Sequence, residues 1–387
     1  MNKKQLYKIL LYALTILVSY QYVGQILACE LMELYKDDFG EINNIKKKEI
    51  GVKVFENLKF TEKDIHQYKE CYHSSMQSDG FNRDRKKTIS LVGKGNKDSV
   101  YGKQTIFNEM SILGGWLVRY AMNNKYDYSF ISHMLSFHRH LIAQYMGTEI
   151  SILPKFGNPC GKDKCIATQM KTISVKSNDL ARKNALLNYD KYHCACGLDD
   201  FLRGKNIDPQ LVVKIRPFLE AESSRYPLSA LIIFKKNCIY VDSQEINRCS
   251  DIFERAIMEN GVLVIHGYAL YKGAVSGEIR GIIEGYINNL QTLSVLEILS
   301  DDSLTEAVRM IAKIAFTESH LTLIERGGGS FVEMLVDGLL LAIGLSSYLI
   351  QVDRESLWGS AMCYHSSNEY IEAWMPRLLH CASVIKK

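Results

Sequence analysis

The chain has 387 residues, of which 47% are hydrophobic and 10% aromatic, which excludes a disordered chain and is ample for a real core. Set apart the three lysines of the first 28 residues, and the remaining 44 basic residues face 43 acidic ones. A chain that close to neutral offers no global argument for nucleic acid or for an anionic surface as partner.

The first thirty residues set the expectations for everything after them. Lys3, Lys4 and Lys8 lead into an uncharged apolar run from Ile9 to Ala28. A basic start, an apolar core and a small residue before a candidate cleavage point make a secretory signal pattern over 1–28. Ile26-Leu27-Ala28-Cys29 also resembles a bacterial lipobox, in which the thiol of Cys29 is the acylation nucleophile; the bulky Leu27 departs from that pattern. The same run, kept uncleaved, is long enough for a membrane anchor. In either case the three lysines hold the N-terminus in the cytoplasm. A buried helix of a soluble protein is the third reading.

Residues 29–153 read as a polar region followed by a helical block. Thr61 with Asp64 three residues later predicts a capped helix carrying Ile65, Tyr68 and Tyr72 on one face. Ser78-Asp79-Gly80 reads as a turn and Thr88–Val92 as a short strand. Lys46–Lys48 and Arg83–Lys87 are charge runs of the kind found on solvated faces. Gly93–Lys97 is basic and glycine-rich but lacks the Gly-Lys-Ser/Thr ending of a phosphate loop, so it reads as a surface turn. Ile106, Met110, Leu113, Leu117 and Ala121 form a helical stripe, and Gly114-Gly115 beside Trp116 marks close packing or a break. A second helix is expected from Ser129 to Tyr145. His133, His138 and His140 lie on it without the spacing of three or four that a helical metal site requires, so they read as packing or surface histidines.

Residues 154–226 are loop-rich, with breaks at Pro154, Gly157, Pro159 and Gly161 that make the best candidate boundary. Cys160, Cys165, Cys194 and Cys196, with His193, form the densest cluster of soft ligands in the chain. In an exported protein the expectation is two disulfides; in a reducing compartment it is a structural zinc site. Either acts as a staple, and no metal is assigned.

Residues 227–387 read as mixed α/β passing to helix. Leu231–Phe234 and Cys238–Val241 predict a hairpin around Lys235-Lys236-Asn237, followed by a helix from Asp242 to Asn260 and a strand at Val262–Ile265. Ser303–Glu306 has the form of a capping box. Glu318-Ser319-His320 reads as a solvated helix end, Gly327-Gly328-Gly329 as a flexible break, and Phe331–Ile350 as a buried core helix, since Glu333 and Asp337 leave too short a run for a span. The fold class expected is α+β, predominantly helical, with a small sheet around residues 228–270.

No catalytic residue is assigned. Glu259–Val264 with Tyr271–Val275 is similar to the papain-family segment preceding that family's catalytic histidine. The family's proline after Gly261, its Gly-His-Ala run and its nucleophile motif have no counterpart here, and Cys160 and Cys165 stand in a different local sequence. His266, at the end of an expected strand, is the other histidine in that region. The sequence thus points to an exported or membrane-tethered protein of the cell envelope, acting by binding or as a structural component. A cysteine- or histidine-dependent hydrolase using residues 160–270 is the alternative. The membrane, through the N-terminus, is the one partner implied; nucleic acid is not expected, and no cofactor, protein or small-molecule partner is specified.

Overall fold

The computed structural model describes residues 24–92, 100–159, 166–174, 231–241, 244–259, 262–270, 277–293, 301–321, 324–350, 357, 361 and 366–383. The expected α+β class does not hold. Apart from the extended segments named next, the described body is 79% helical with only 3% strand and no sheet within it. Backbone at Ile166–Ser174, Leu231–Val241, Gln244–Glu259 and Val262–Leu270 runs extended and pairs antiparallel, the first and last of these being neighbours. The segment 244–259, expected to be helical, is therefore extended, and Lys235–Asn237 continues a strand instead of turning. None of the described core side chains comes from these segments. The physical reason is that the helices close their apolar faces against one another and need no sheet to cover them.

Helix α1 spans 24–33 and places Ala28 and Leu31 fully inside the core. After the short α2 (Lys36–Phe39), helix α3 (Ile45–Leu58) is capped by Asn44, whose side chain accepts from the Lys47 amide, and ends at Lys59 in the left-handed region. Helix α4 (Glu62–Met76) has the expected capping box: the Asp64 amide donates to Thr61 Oγ1 at 3.2 Å and the Thr61 amide to Asp64 Oδ2 at 2.8 Å. Helix α5 (Asp79–Val92) replaces both the expected turn at 78–80 and the expected strand at 88–92. Tertiary packing overrides local preference there. Phe81 is fully buried, Trp116 Nε1 donates to Asp84 Oδ2 at 3.2 Å, and Gly80 lies so close to the Trp116 ring that a Cβ would sit 2.3 Å from it.

Helices α6 (Val100–Asn123) and α7 (Tyr128–Tyr145) form the centre. Asp127 caps α7, accepting from the Phe130 amide at 2.7 Å. Helix α7 is buried nearly all round, from Phe130 through Gln144 with few exceptions, which is how an apolar helix without a polar face is accommodated. Helices α8 (Gly277–Leu293), α9 (Asp301–Leu321), α10 (Gly328–Ala342) and α11 (Ser367–Ser383) complete the described set. Because α9 starts at Asp301, Ser303 lies inside its first turn and is not the cap. Helix α10 is the buried core helix expected from the sequence, but it ends at Ala342, short of the expected Ile350. It ends in a Schellman pattern: Leu345 N donates to Leu340 O and Gly344 N to Leu341 O, with Gly344 at φ 84°.

The α6–α10 crossing positions the interior. Gly114 and Gly115 face Met334 and Asp337, and Gly338 faces Val118 and the Gly115 carbonyl. The pair Gly114-Gly115 thus marks close helix packing, not a break. Residues 153–159 dock onto α7, where Gly157, at φ 69°, lies against the Ser136 carbonyl.

Candidate functional site

The described residues hold three groups of buried polar side chains, each brought in by a helix. The first is centred on Arg139 of α7. This residue is 8% exposed, and its Nε and Nη1 have no hydrogen-bond partner. Its guanidinium stacks 4.6 Å from the Phe156 ring and 5.8 Å from the Phe107 ring. Arg326 approaches the same Phe156 ring at 5.6 Å. Burial, and secondarily the neighbouring Arg326 charge, press the Arg139 pKa down to about 10, so it stays a cation.

The backbone around this pair is held by short-range bonds. Gly157 N donates to Arg326 O, Glu325 N donates to Asn158 O at 2.9 Å, and Asn158 Nδ2 donates to Glu325 Oε1 at 2.7 Å. Glu325 is therefore engaged by Asn158. Gly327 follows in the left-handed region at φ 92° and serves as the N-cap of α10 without any side-chain cap. A Cβ at Gly327 would lie 2.5 Å from Arg139 Nε, so the arginine lies directly against the start of that helix. The three glycines form a fixed helix start, not a flexible break.

The second group is a chain of tautomer-defining bonds. The carbonyl of Met110 can only accept, so His138 Nε2, 2.7 Å away, carries the proton. His138 Nδ1 then accepts from Tyr35 Oη at 2.8 Å, and Tyr35 Oη accepts from Tyr68 Oη at 2.7 Å. By the same logic His140 Nδ1 donates to Phe156 O at 3.0 Å and its Nε2 accepts from Gln144 Nε2, which also donates to Lys47 O. Burial lowers both histidines to about 4, so both rings are neutral with both nitrogens committed. The packing role expected for these histidines holds, and His138 and His140 are interior.

The third group is two buried carboxyls. Glu318 is 2% exposed and accepts from Tyr128 Oη, and its Oε2 has no partner. Burial lifts its pKa to about 8. Ser319 is fully buried as well, so this stretch is core and not the solvated helix end expected. Asp337, fully buried at the α6–α10 crossing, accepts from Ser347 Oγ at 2.8 Å and from Leu349 N at 3.2 Å; its Oδ2 is unpartnered. Burial raises it to about 7.

Of the described cysteines, Cys29, the candidate for lipid attachment, is exposed and free on α1, and Cys71 is buried and free in α4. Burial holds the Cys71 thiol well above its usual range, which keeps it unreactive. Cys160, Cys165, Cys194 and Cys196, with His193, lie outside the described residues, as do the side chains of His266 and His320. Among the described residues no group of three or more His, Cys, Asp or Glu is placed to hold a metal ion, and no helix is long and apolar enough to cross a membrane. Arg139, Glu318 and Asp337 are the polar groups that sequence reasoning missed. Their signal was available: Arg139 is the one charge in the otherwise uncharged Tyr128–Tyr145 stretch, and Asp337 interrupts an apolar run. No protein-family model matches the chain, and no curated protein matches it.

Proposed function

We propose that the protein acts by binding, as a helical module tethered to a membrane by a retained N-terminal segment. The observation that carries this reading is the burial of the leader's last residue and of the stretch that follows it. Ala28, Leu31 and Tyr35 are fully inside the core, and Tyr35 is the middle of the Tyr68–Tyr35–His138 chain. A cut between Ala28 and Cys29 would begin the mature chain within α1 and remove a core residue. The stretch Ile9–Ile26 ahead of that core is about 18 residues long, within the ~17–25 that a bilayer span requires. Ile26 itself is 45% exposed, an apolar side chain suited to the membrane boundary. With Lys3, Lys4 and Lys8 on the cytoplasmic side, the helical body is displayed on the other face. On this reading Cys29 is an unmodified surface thiol.

The described interior histidines and thiol fit a structural role that supports binding, and the side chains of the hydrolase alternative, in 160–270, lie outside the described residues. His138 and His140 are neutral with both nitrogens engaged, and Cys71 is a buried thiol, so none is poised as base or nucleophile. The test is intact mass on protein extracted from its native membrane after an alkaline carbonate wash. A membrane-retained species including residues 1–28 is expected. A species beginning at Cys29, with or without acyl chains, overturns the tether.

A further inference from the structure

We propose that the start of α10, with Arg139 and Arg326, is a binding site for a phosphate monoester group. This goes beyond the tether and stands without it. Two cations share one aromatic ring, Phe156, and no carboxylate among the described residues pairs with either of them. Burying a guanidinium with two unpaired nitrogens is costly unless an anion completes it. The adjacent helix offers the complementary groups. Gly327 caps α10 without a side chain, and Ser330 Oγ donates back to Gly327 O, so the first-turn amides have no side-chain acceptor. Helix N-termini of this kind bind phosphate through exposed N–H groups and the helix dipole.

The glycines fit that use. At Gly327 a side chain would occupy the place of Arg139 itself. At Gly328, the first helical residue, a Cβ would meet nothing within 4 Å, so the first turn is open on that side. Two guanidinium groups and a helix start match a dianion with three terminal oxygens better than a single carboxylate. The buried Arg139 supplies the interior part of the site and the exposed Arg326 its solvent-facing part.

The test is thermal unfolding of the full chain in detergent at constant ionic strength. The probes are inorganic phosphate, glycerol 3-phosphate and dihexanoyl phosphatidate, each against chloride. An increase in Tm with all three assigns a free phosphate ester, and an increase with the phosphatidate alone assigns a lipid headgroup. Two variants spare the buried arginine. Arg326→Gln removes one charge-assisted contact and is expected to weaken binding by about 10-fold or more. Gly328→Asp places a carboxylate at the helix start, where there is room for it; it is expected to raise the Tm without ligand and to abolish the phosphate response. The proposal is overturned if no probe raises the wild-type Tm above chloride, or if either variant keeps the full wild-type response, which would mark a general salt effect.

Discussion

The α6–α10 crossing predicts that one substitution has opposite effects at two helical glycines. In Gly338→Ala the new methyl would stand 2.3 Å from Val118 Cβ, 2.6 Å from Val118 Cγ1 and 2.5 Å from the Gly115 carbonyl oxygen. Carbon contacts settle near ~3.5–4 Å, so the helices must separate by about 1 Å. Neither obstacle can rotate away, because one is a Cβ fixed to its backbone and the other is backbone. Overpacking of this kind costs about 1–3 kcal/mol, toward the upper end where backbone must shift. Replacing a helical glycine by alanine returns about 1 kcal/mol. The net expectation is a loss of about 2 kcal/mol. In Gly285→Ala, on the exposed face of α8, the methyl meets nothing within 4 Å. Only the propensity term remains there, a gain of up to ~1 kcal/mol. The two variants should therefore differ by about 3 kcal/mol, read as opposite shifts in the urea midpoint by far-UV circular dichroism. If Gly338→Ala is as stable as Gly285→Ala, the crossing is not as close as described and the account of Gly114, Gly115 and Gly338 fails with it.

The two interior carboxyls make stability depend on pH. Asp337 is raised from its ordinary 3.8 to about 7 and Glu318 from 4.5 to about 8, in both cases by burial. An acid raised in the folded state holds its proton more tightly there than when unfolded. Its contribution is complete below the unfolded value and is lost as pH climbs through the folded one, so urea midpoints should fall between about pH 4 and 8. Asp337→Asn keeps the acceptor for Ser347 and Leu349 and should flatten much of that slope; an unchanged slope removes Asp337 from the account. Tyr35→Phe deletes the hydroxyl between Tyr68 and His138 and leaves buried partners unsatisfied, an expected cost of about 1–3 kcal/mol in urea unfolding. A variant as stable as the wild type would mean that the chain of bonds from Tyr68 to Met110 does not tie the turn between α1 and α2 to the core.

How much of this was legible in the sequence depends on whether local chemistry and tertiary packing agreed. At Thr61–Asp64 they agreed, because a capping box is satisfied by neighbours within one turn. The Ser129–Tyr145 helix was legible because its apolar residues recur at helical spacing over one broad face. At 78–92 they disagreed. Ser78-Asp79-Gly80 has turn chemistry and Thr88–Val92 is rich in β-formers, yet Gly80 is there for the Trp116 ring and Thr88 bonds back to the Asp84 carbonyl within a helix. The region 242–260 failed in the other direction, its helical spacing of Ile246, Ile252, Phe253 and Ile257 lying on extended backbone.

Charges misled for a common reason. Glu318 and Asp337 were read as marks of solvent or as limits to an apolar run, because an ionised carboxylate does not enter a core. Burial changes the premise: it raises both groups far above the ordinary carboxyl range, which favours the protonated form as a neutral polar side chain. Arg139 has no such escape, since a guanidinium keeps its proton even at a pKa of about 10. A buried acid can therefore be explained by its own protonation, whereas a buried arginine with idle N–H groups calls for an anion, and the start of α10, which has no side-chain cap, lies directly against it.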